Sequence, residues 1–449
     1  MKLSRLLKNP LVTGTLFMSA AGVISRFIGF FYRIFLSRTI GAERLGIYQL
    51  IAPVFSICFA LTASSIQTAI SKFVGDSIGS CNTGECGERR ARAYLIIGLV
   101  LSCVLSLITG FVVYHYADFI AERFLGEARC APLLVLLTYS LLPACIHSCI
   151  NGYYYGKKRA LVPSICQLME QVVRVCGVYI IYLVTQEKCI PLSPTHAVAG
   201  LVMGEFAGLF TCLLAFSFEP KLEKNTVDTL RQSSGPMFRM FLGMVVPLTL
   251  NRLTVSVCNS LENLLIPKKL MAFGYSNSDA LSIYGVLTGM AFSIILFPNV
   301  LTNSLSVLLL PSVSEAHGQK NLEKIADTIK KATLLGLLLG LCFTILFLLT
   351  GRFIGSHIFH NALAGVFIRR LSFLCPLMYI TGLLSSILQG LGHAGRVLYV
   401  NLLACLMRIG MILFLVPVYG IRAYLWGMLF SYVFTTIACL WLLRAYRKV

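Results

Sequence analysis

The chain has 449 residues, of which 57% are hydrophobic and only 12% are charged, and its formal net charge is +20. Apolar runs, each about 20 residues long and therefore long enough to cross a hydrocarbon core of about 30 Å, fill it almost end to end, which excludes an ordinary soluble domain. The positive charges are dispersed over many short loops, so nucleic-acid binding does not explain them.

The apolar runs predict an all-α, polytopic membrane protein with about twelve transmembrane helices. The first run follows the basic residues 1–8 and is longer than a signal-peptide core, so we expect it to be retained as a helix. Most Lys and Arg fall in alternate loops, which predicts that both termini are cytoplasmic. In chain order the predicted spans are 11–35, 44–71, 93–115, 131–151, 163–185, 195–218, 240–262, 280–303, 332–350, 366–388, 397–416 and 421–443.

The two halves of the chain resemble each other. Residues 148–157 align with residues 386–395, and Gly152 then coincides with Gly390. Six spans in each half make the repeat parallel, with its axis along the membrane normal. Such duplicated halves are typical of transporters that bind a substrate between two lobes and work by alternating access; a duplicated structural or enzymatic bundle is the alternative. The predicted division is an N-terminal six-helix lobe at 1–218, a cytoplasmic linker at 219–239 and a C-terminal six-helix lobe at 240–449.

Two arginines lie inside corresponding spans of the two halves. Arg26 is in the first span, and Arg252 is in the seventh, next to Asn251 and followed by Asn259. A charge in hydrocarbon is costly unless it meets an anion, a carbonyl group or water, and a guanidinium suits bidentate binding of phosphate. We therefore predict that Arg26, Arg252, Asn251 and Asn259 line a substrate cavity for an anionic head group. Snorkelling or a structural ion pair is the alternative for each arginine.

The other intramembrane charges suggest ion pairing and ion coupling. Glu170 and Arg174 are one helical turn apart and predict an intrahelical pair, while the repeat places Arg408 over Glu170. Glu262 ends the seventh span and is the candidate residue for a coupling cation, although a wet outer helix end is an equally simple interpretation. Glu205 in the sixth span is another candidate for a coupling proton or cation, but it lies among small residues, which favours a place in a helix interface.

Motifs of the common enzymes are missing from the sequence. It contains no GxxxxGK[ST] loop and no HExxH motif, and no outer loop is long enough for a folded catalytic domain. Most of the 16 cysteines lie in apolar spans, where cysteine behaves as a small hydrophobic residue. We therefore expect no enzymatic activity, no cofactor and no metal site.

Two stretches resemble the stage V sporulation protein B group of polysaccharide transporters, within the multidrug/oligosaccharidyl-lipid/polysaccharide exporter superfamily. The first stretch contains SRFIGF at 25–30 and IGAERLGIY at 40–48. The second contains LLIP at 264–267, YGVLTGM at 284–290 and LPSVSEA at 310–316. In flippase relatives an arginine in the motif matched by residues 25–30 lines the substrate cavity, so the resemblance gives Arg26 that role.

The resemblance implies a flippase or exporter of the bacterial plasma membrane. Its expected partners are membrane lipid and a lipid-linked anionic saccharide of the undecaprenyl-pyrophosphate type, used for peptidoglycan, spore cortex or another polysaccharide, with H+ or Na+ as the coupling ion. Lipid II flippases carry an arginine in the eighth span where this chain has Gly285-Val286-Leu287, and they commonly have fourteen spans. Both departures favour a sporulation-type or general polysaccharide relative. The alternatives are a cation-coupled multidrug exporter, a membrane glycosyltransferase and an assembly factor.

Overall fold

A computed structural model describes residues 10–80, 84–157, 159–188, 191–219, 224–299 and 321–444, with five single positions between 302 and 313. Several features predicted from the sequence lie outside these residues. They are both termini (1–9 and 445–449), part of the 219–239 linker and most of the 310–316 motif.

Every regular element in the described ranges is helical. Short π-helical, 3-10 and α-helical segments lie between or extend the longer helices, as at Ala60–Ser64, Val286–Ala291 and Ile354–Ile358. The longer helices are α1 Pro10–Phe59, α2 Ser65–Ser80, α3 Gly84–His115, α4 Ala131–Gly156, α5 Leu161–Glu187, α6 Pro194–Ser217, α7 Lys224–Phe273, α8 Asn277–Gly285, α9 Leu322–Phe353, α10 Ala362–Leu371, α11 Cys375–Gly390, α12 Ala394–Phe414 and α13 Ile421–Leu442.

Among the described residues, eleven helical stretches are long and apolar enough to cross a membrane, and the first of them is long enough for two spans. It runs over 59 residues, Ala20–Ile78, whereas a membrane of about 30 Å needs only about 20 residues. Gly41 interrupts it with φ 79° and ψ 170°, a backbone conformation that glycine adopts without a steric penalty from Cβ. This kink separates the predicted spans 11–35 and 44–71. The structure therefore confirms the all-α, polytopic membrane fold with about twelve spans.

The helices form two compact units, and each unit is discontinuous in sequence. Unit 1 contains the residues up to Tyr32 and Leu50–Val257, whereas unit 2 contains Arg33–Gln49 and the residues from Cys258 onward. Both α1 and α7 therefore contribute to both units. The predicted lobes, divided at 219–239, differ from these units in those two helices, and that division stays a prediction.

Unit 1 is organised around α2, α3, α4 and the first half of α7. Phe73 stacks on Tyr94 with 4.7 Å between ring centroids, and Phe241 lies 5.8 Å from Phe73. All three rings are buried in one core cluster with residues of α4, including Cys149 and Tyr153. These aromatic contacts join α2 and α3 to α7, and the core cluster that contains them also includes α4, which carries much of the buried polar chemistry described below.

Unit 2 contains a very close helix crossing between α1 and α8. A Cβ atom added to Gly46 would lie 2.2 Å from the carbonyl oxygen of Leu281, and one added to Gly285 would lie 2.2 Å from that of Ala42. Small residues let helix backbones approach closely in membranes, where van der Waals packing drives association. Gly46 and Gly285 belong to the two stretches that carry the family resemblance, and the crossing gives both a packing role.

The crossing predicts that Gly46→Ala destabilises the protein. The methyl group has no space between α1 and α8, and overpacking of this kind costs about 1–3 kcal/mol of unfolding free energy. Gly382→Ala in α11 is the matched control, because nothing lies within 4 Å of the added Cβ and the residue is exposed. It should raise stability by up to about 1 kcal/mol through helix propensity. Thermal unfolding in detergent measures both, and equal stability of the two variants would contradict the crossing.

Candidate functional site

Arg26 lies on the part of α1 that belongs to unit 1, and its side chain is exposed. One turn along, Gly29 contacts α5, since its added Cβ would lie 3.2 Å from Nε2 of Gln171. Within the described part of the chain, the Arg26 guanidinium has no hydrogen bond and no ion pair. The charge is therefore available to a molecule outside the protein.

Arg252 on α7 is half-buried and has one defined contact. Its Nη2 donates a hydrogen bond to Oγ1 of Thr68 on α2, at 2.7 Å. The sequence repeat treated Arg252 as the counterpart of Arg26 in the second half, but the structure groups both arginines in unit 1. One bond to a neutral hydroxyl leaves most of the five N–H donors of the guanidinium for other partners.

The two asparagines of the predicted cavity are both exposed, and they divide between the units. Asn251 precedes Arg252 in unit 1, whereas Asn259 belongs to unit 2. The backbone carbonyl of Asn259 accepts a hydrogen bond from Nδ2 of Asn263 at 3.0 Å. The side-chain amide of Asn259 takes no part in this bond and stays available. The structure thus brings Arg26, Asn251 and Arg252 into one unit.

Glu262 forms a buried ion pair in unit 2. Nε of Arg408 on α12 donates to both carboxylate oxygens, at 2.9 and 3.0 Å, and Nη1 of Arg408 donates to Oγ of Ser431 at 2.9 Å. The hydroxyl of Tyr424 on α13 donates to the same carboxylate at 2.8 Å. Only 6% of Glu262 is exposed, so the interpretation as a wet outer helix end is wrong. Burial between three helices is the physical reason.

The predicted intrahelical pair between Glu170 and Arg174 is present on α5. Arg408, which the repeat placed over Glu170, lies in the other unit and pairs with Glu262 instead. This pair meets a second helix through Glu205 of α6, whose Oε1 is 3.6 Å from Nη2 of Arg174. The pair is therefore part of a larger polar cluster.

His147 on α4 completes that cluster and was missed in the sequence. Its Nε2 lies 2.8 Å from Oε2 of Glu205, and both residues are buried, with 6% and 5% exposed. The signal was a single histidine in an otherwise apolar span, four residues before Asn151. Helix spacing alone does not show that His147 faces a carboxylate that is 58 positions away.

A second ionic cluster joins the turn after α4 to the end of α6. Nζ of Lys157 lies 3.0 Å from Oε1 of Glu88 and 2.9 Å from Oε2 of Glu219, and Glu219 also binds Arg159 at 2.9 Å. Burial of the ammonium lowers the pKa of Lys157, but hydrogen bonds with Glu219, Glu88 and Tyr153 outweigh this and raise the pKa above its ordinary value. Part of the basic charge of this turn is thus compensated within unit 1.

Comparison with known proteins identifies relatives over most of the chain. The polysaccharide biosynthesis protein family model matches residues 11–317, and the MatE family model matches residues 253–414. Stage V sporulation protein B of Bacillus subtilis is 28% identical over 90% of this chain and 77% of its own length. The lipid II flippase MurJ of the same bacterium is 23% identical over 72% of this chain and 61% of its own length.

Solved structures share the fold at low identity. An inward-facing multidrug resistance MATE family transporter of the MOP superfamily superposes with a TM-score of 0.76 and 17% identity, over 95% of this chain and 96% of its own. A MOP superfamily transporter from Pyrococcus furiosus gives a TM-score of 0.64 and 16% identity, over 99% of this chain and 98% of its own. The helices of this chain therefore have a transporter fold.

The buried pair in unit 2 predicts a large effect of Glu262→Gln on stability. The change leaves the Arg408 charge buried without its counter-charge, which costs about 3–5 kcal/mol, whereas combining it with Arg408→Met removes both charges and restores much of the loss. The control is Asp327→Asn, which breaks an exposed pair with Lys331 and costs at most about 1 kcal/mol. Thermal unfolding in detergent compares the three, and a similar small loss for Glu262→Gln and Asp327→Asn would contradict the pair's importance.

Proposed function

The chain belongs to the polysaccharide biosynthesis protein family, and on that premise we propose that it is a membrane flippase or exporter of lipid-linked oligosaccharide precursors that works by alternating access. A relative named as a lipid II flippase, a sporulation relative and the transporter fold support this proposal. The observation that carries it is Arg26, an exposed guanidinium in the middle of a predicted membrane span.

The chemistry of Arg26 and Arg252 favours an anionic substrate. A guanidinium exposed at this depth is costly against hydrocarbon, so its stable surroundings are water or an anion. Pyrophosphate offers several oxygens to the planar donors of arginine and binds them bidentately. In the same unit as the two arginines, Asn251 presents an amide that suits the hydroxyl groups of a saccharide. We therefore propose an undecaprenyl-pyrophosphate type of substrate, with its apolar chain remaining in the lipid.

The distribution of basic residues supports a membrane orientation. The predicted spans place Lys157 and Arg159 and the 219–239 linker on the same side as the termini, and an excess of Lys and Arg marks the cytoplasmic side of membrane proteins. We propose that this is the cytoplasmic side of a bacterial plasma membrane.

The MatE family match over residues 253–414 favours a multidrug exporter as the second candidate. A cationic drug needs carboxylates that are free to meet it. Glu170, Glu205 and Glu262 instead face arginine or histidine side chains inside their own units. The exposed charge at Arg26 has the wrong sign for a cation, so the saccharide substrate is the stronger proposal.

The proposed anion site predicts that Arg26→Ala abolishes transport without affecting insertion. A hydrogen bond to a charged group contributes about 1.5–3 kcal/mol, so transport of a fluorescent lipid-linked saccharide between liposome leaflets should fall at least about tenfold. Arg26→Lys should recover little, because a point charge replaces a planar fork. Arg123→Ala, at an exposed arginine between α3 and α4, is the matched control. Wild-type transport by Arg26→Ala would rule out the proposed role.

Arg252→Ala should lower transport as well, and in the double variant with Arg26→Ala the losses should be non-additive if one pyrophosphate binds both arginines. Thr68→Val separates binding from structure, because it removes the contact with Thr68 and keeps the guanidinium. Equal losses in Thr68→Val and Arg252→Ala would assign Arg252 to packing alone.

We propose that ion coupling acts through Glu262, where Arg408 already supplies a cation. A proton or Na+ can bind this carboxylate only in competition with the guanidinium, and such competition would link ion binding to the packing of α7, α12 and α13. The double variant Glu262→Gln with Arg408→Met should keep substrate binding and lose the dependence of transport on a proton or sodium gradient. Gradient dependence that survives in this variant would place the coupling site elsewhere.

A further inference from the structure

Four charged or titratable side chains of unit 1 meet between α4, α5 and α6, at a site that the proposed function does not use. We call His147, Glu170, Arg174 and Glu205 the His147 cluster. The nearest oxygens of Glu170 and Glu205 and the imidazole nitrogen lie within 4.8 Å of one another. His147, Glu170 and Glu205 are each roughly 14–18 Å along the helix from the end that faces the α4–α5 turn, so the cluster is deep in the spans.

The formal charges of the cluster do not cancel when its histidine is neutral. Glu170 and Glu205 are two carboxylates, and among the described residues Arg174 is the one permanent cation that pairs with them. Glu205 is only 5% exposed, so the remaining negative charge would be buried almost without solvent. An isolated buried charge is strongly unfavourable, and one additional proton makes the cluster neutral.

Among the described residues, the polar groups of α4, α5 and α6 next to the cluster supply no further compensating charge. From α4 His147 and the neutral amide of Asn151 face the site, and α5 adds Cys166, whose Sγ is 4.0 Å from Nδ1 of His147. From α6 the thiol of Cys212 faces Asn151, 3.3 Å from its Oδ1. None of these neighbouring groups on the three helices is a cation in its ordinary form. With a neutral imidazole, the cluster therefore has two carboxylates and one guanidinium, and it lacks one positive charge.

We propose that the His147 cluster is a buried proton-binding site. One proton, in addition to the N–H of a neutral imidazole, is held where Nε2 of His147 and Oε2 of Glu205 are 2.8 Å apart. Arg174 orders the other side by contacting both carboxylates, and its fixed charge disfavours a divalent metal ion in the same space. Because the site joins three helices, gain or loss of this proton changes the electrostatic contact between them.

Nuclear magnetic resonance of the protein with isotope-labelled histidine, in nanodiscs, tests the proposal, since the chain has only 7 histidines and their signals can be separated. His147→Gln assigns the signal of His147. At pH 7 we expect an imidazolium signal in the wild type and a neutral imidazole signal in Glu205→Gln, because loss of one carboxylate leaves the remaining charges balanced. Glu122→Gln, at an exposed acid between α3 and α4, should leave the signal unchanged.

Two further measurements keep the test decisive. If His147→Gln does not fold, an infrared band of a protonated carboxylic acid that disappears in Glu170→Gln or Glu205→Gln also supports a proton held in the cluster. A neutral imidazole in the wild type together with no such band would overturn the proposal. Stoichiometric binding of Zn2+ that His147→Gln removes would also overturn it, in favour of a metal site.

Discussion

The compensation of buried charge is the constraint on which this structure depends. In a membrane-spanning helix a carboxylate or guanidinium has little water to solvate it, so it must meet its partner inside the protein. Glu262 meets Arg408, Tyr424 and Ser431, and these residues come from three helices of unit 2. The position of each of these helices is tied to the others through one carboxylate.

Unit 1 meets the same constraint with a different set of residues. Glu170 and Arg174 share one helix, while Glu205 and His147 come from two others. Here a titratable imidazole takes part, whereas unit 2 balances one carboxylate with one guanidinium. The two units can therefore respond differently to protons even though the sequence repeat relates them.

Arg26 and Arg252 stand out against this background of internal compensation. Arg26 is exposed, and among the described residues Arg252 donates a hydrogen bond only to the neutral hydroxyl of Thr68. Positive charge that the protein does not neutralise is a physical basis for attracting an anion. The motif glycines have another role, since Gly46 and Gly285 allow two backbones of unit 2 to touch. Residues of the family motifs therefore have two different roles: the glycines allow close helix packing, and Arg26 supplies an exposed charge.

The amino-acid sequence by itself determined the helical membrane fold and the number of spans. Hydrophobic run length is a local property, and it sets which segments cross the bilayer. The Glu170–Arg174 pair was also predictable, because residues four apart on a helix are neighbours. The candidate charges at Arg26, Arg252 and Glu262 were visible in the sequence because charged residues are rare in apolar runs.

Only the tertiary structure decided which distant charges meet. The repeat placed Arg408 over Glu170, but helix packing brings it to Glu262, 146 positions away. Packing also buried Glu262, which the sequence allowed to be a wet helix end, and brought His147 to Glu205. The division of α1 and α7 between two units has the same origin. Spacing along the chain reports which face of one helix a residue occupies, whereas the partner depends on which other helix packs against that face.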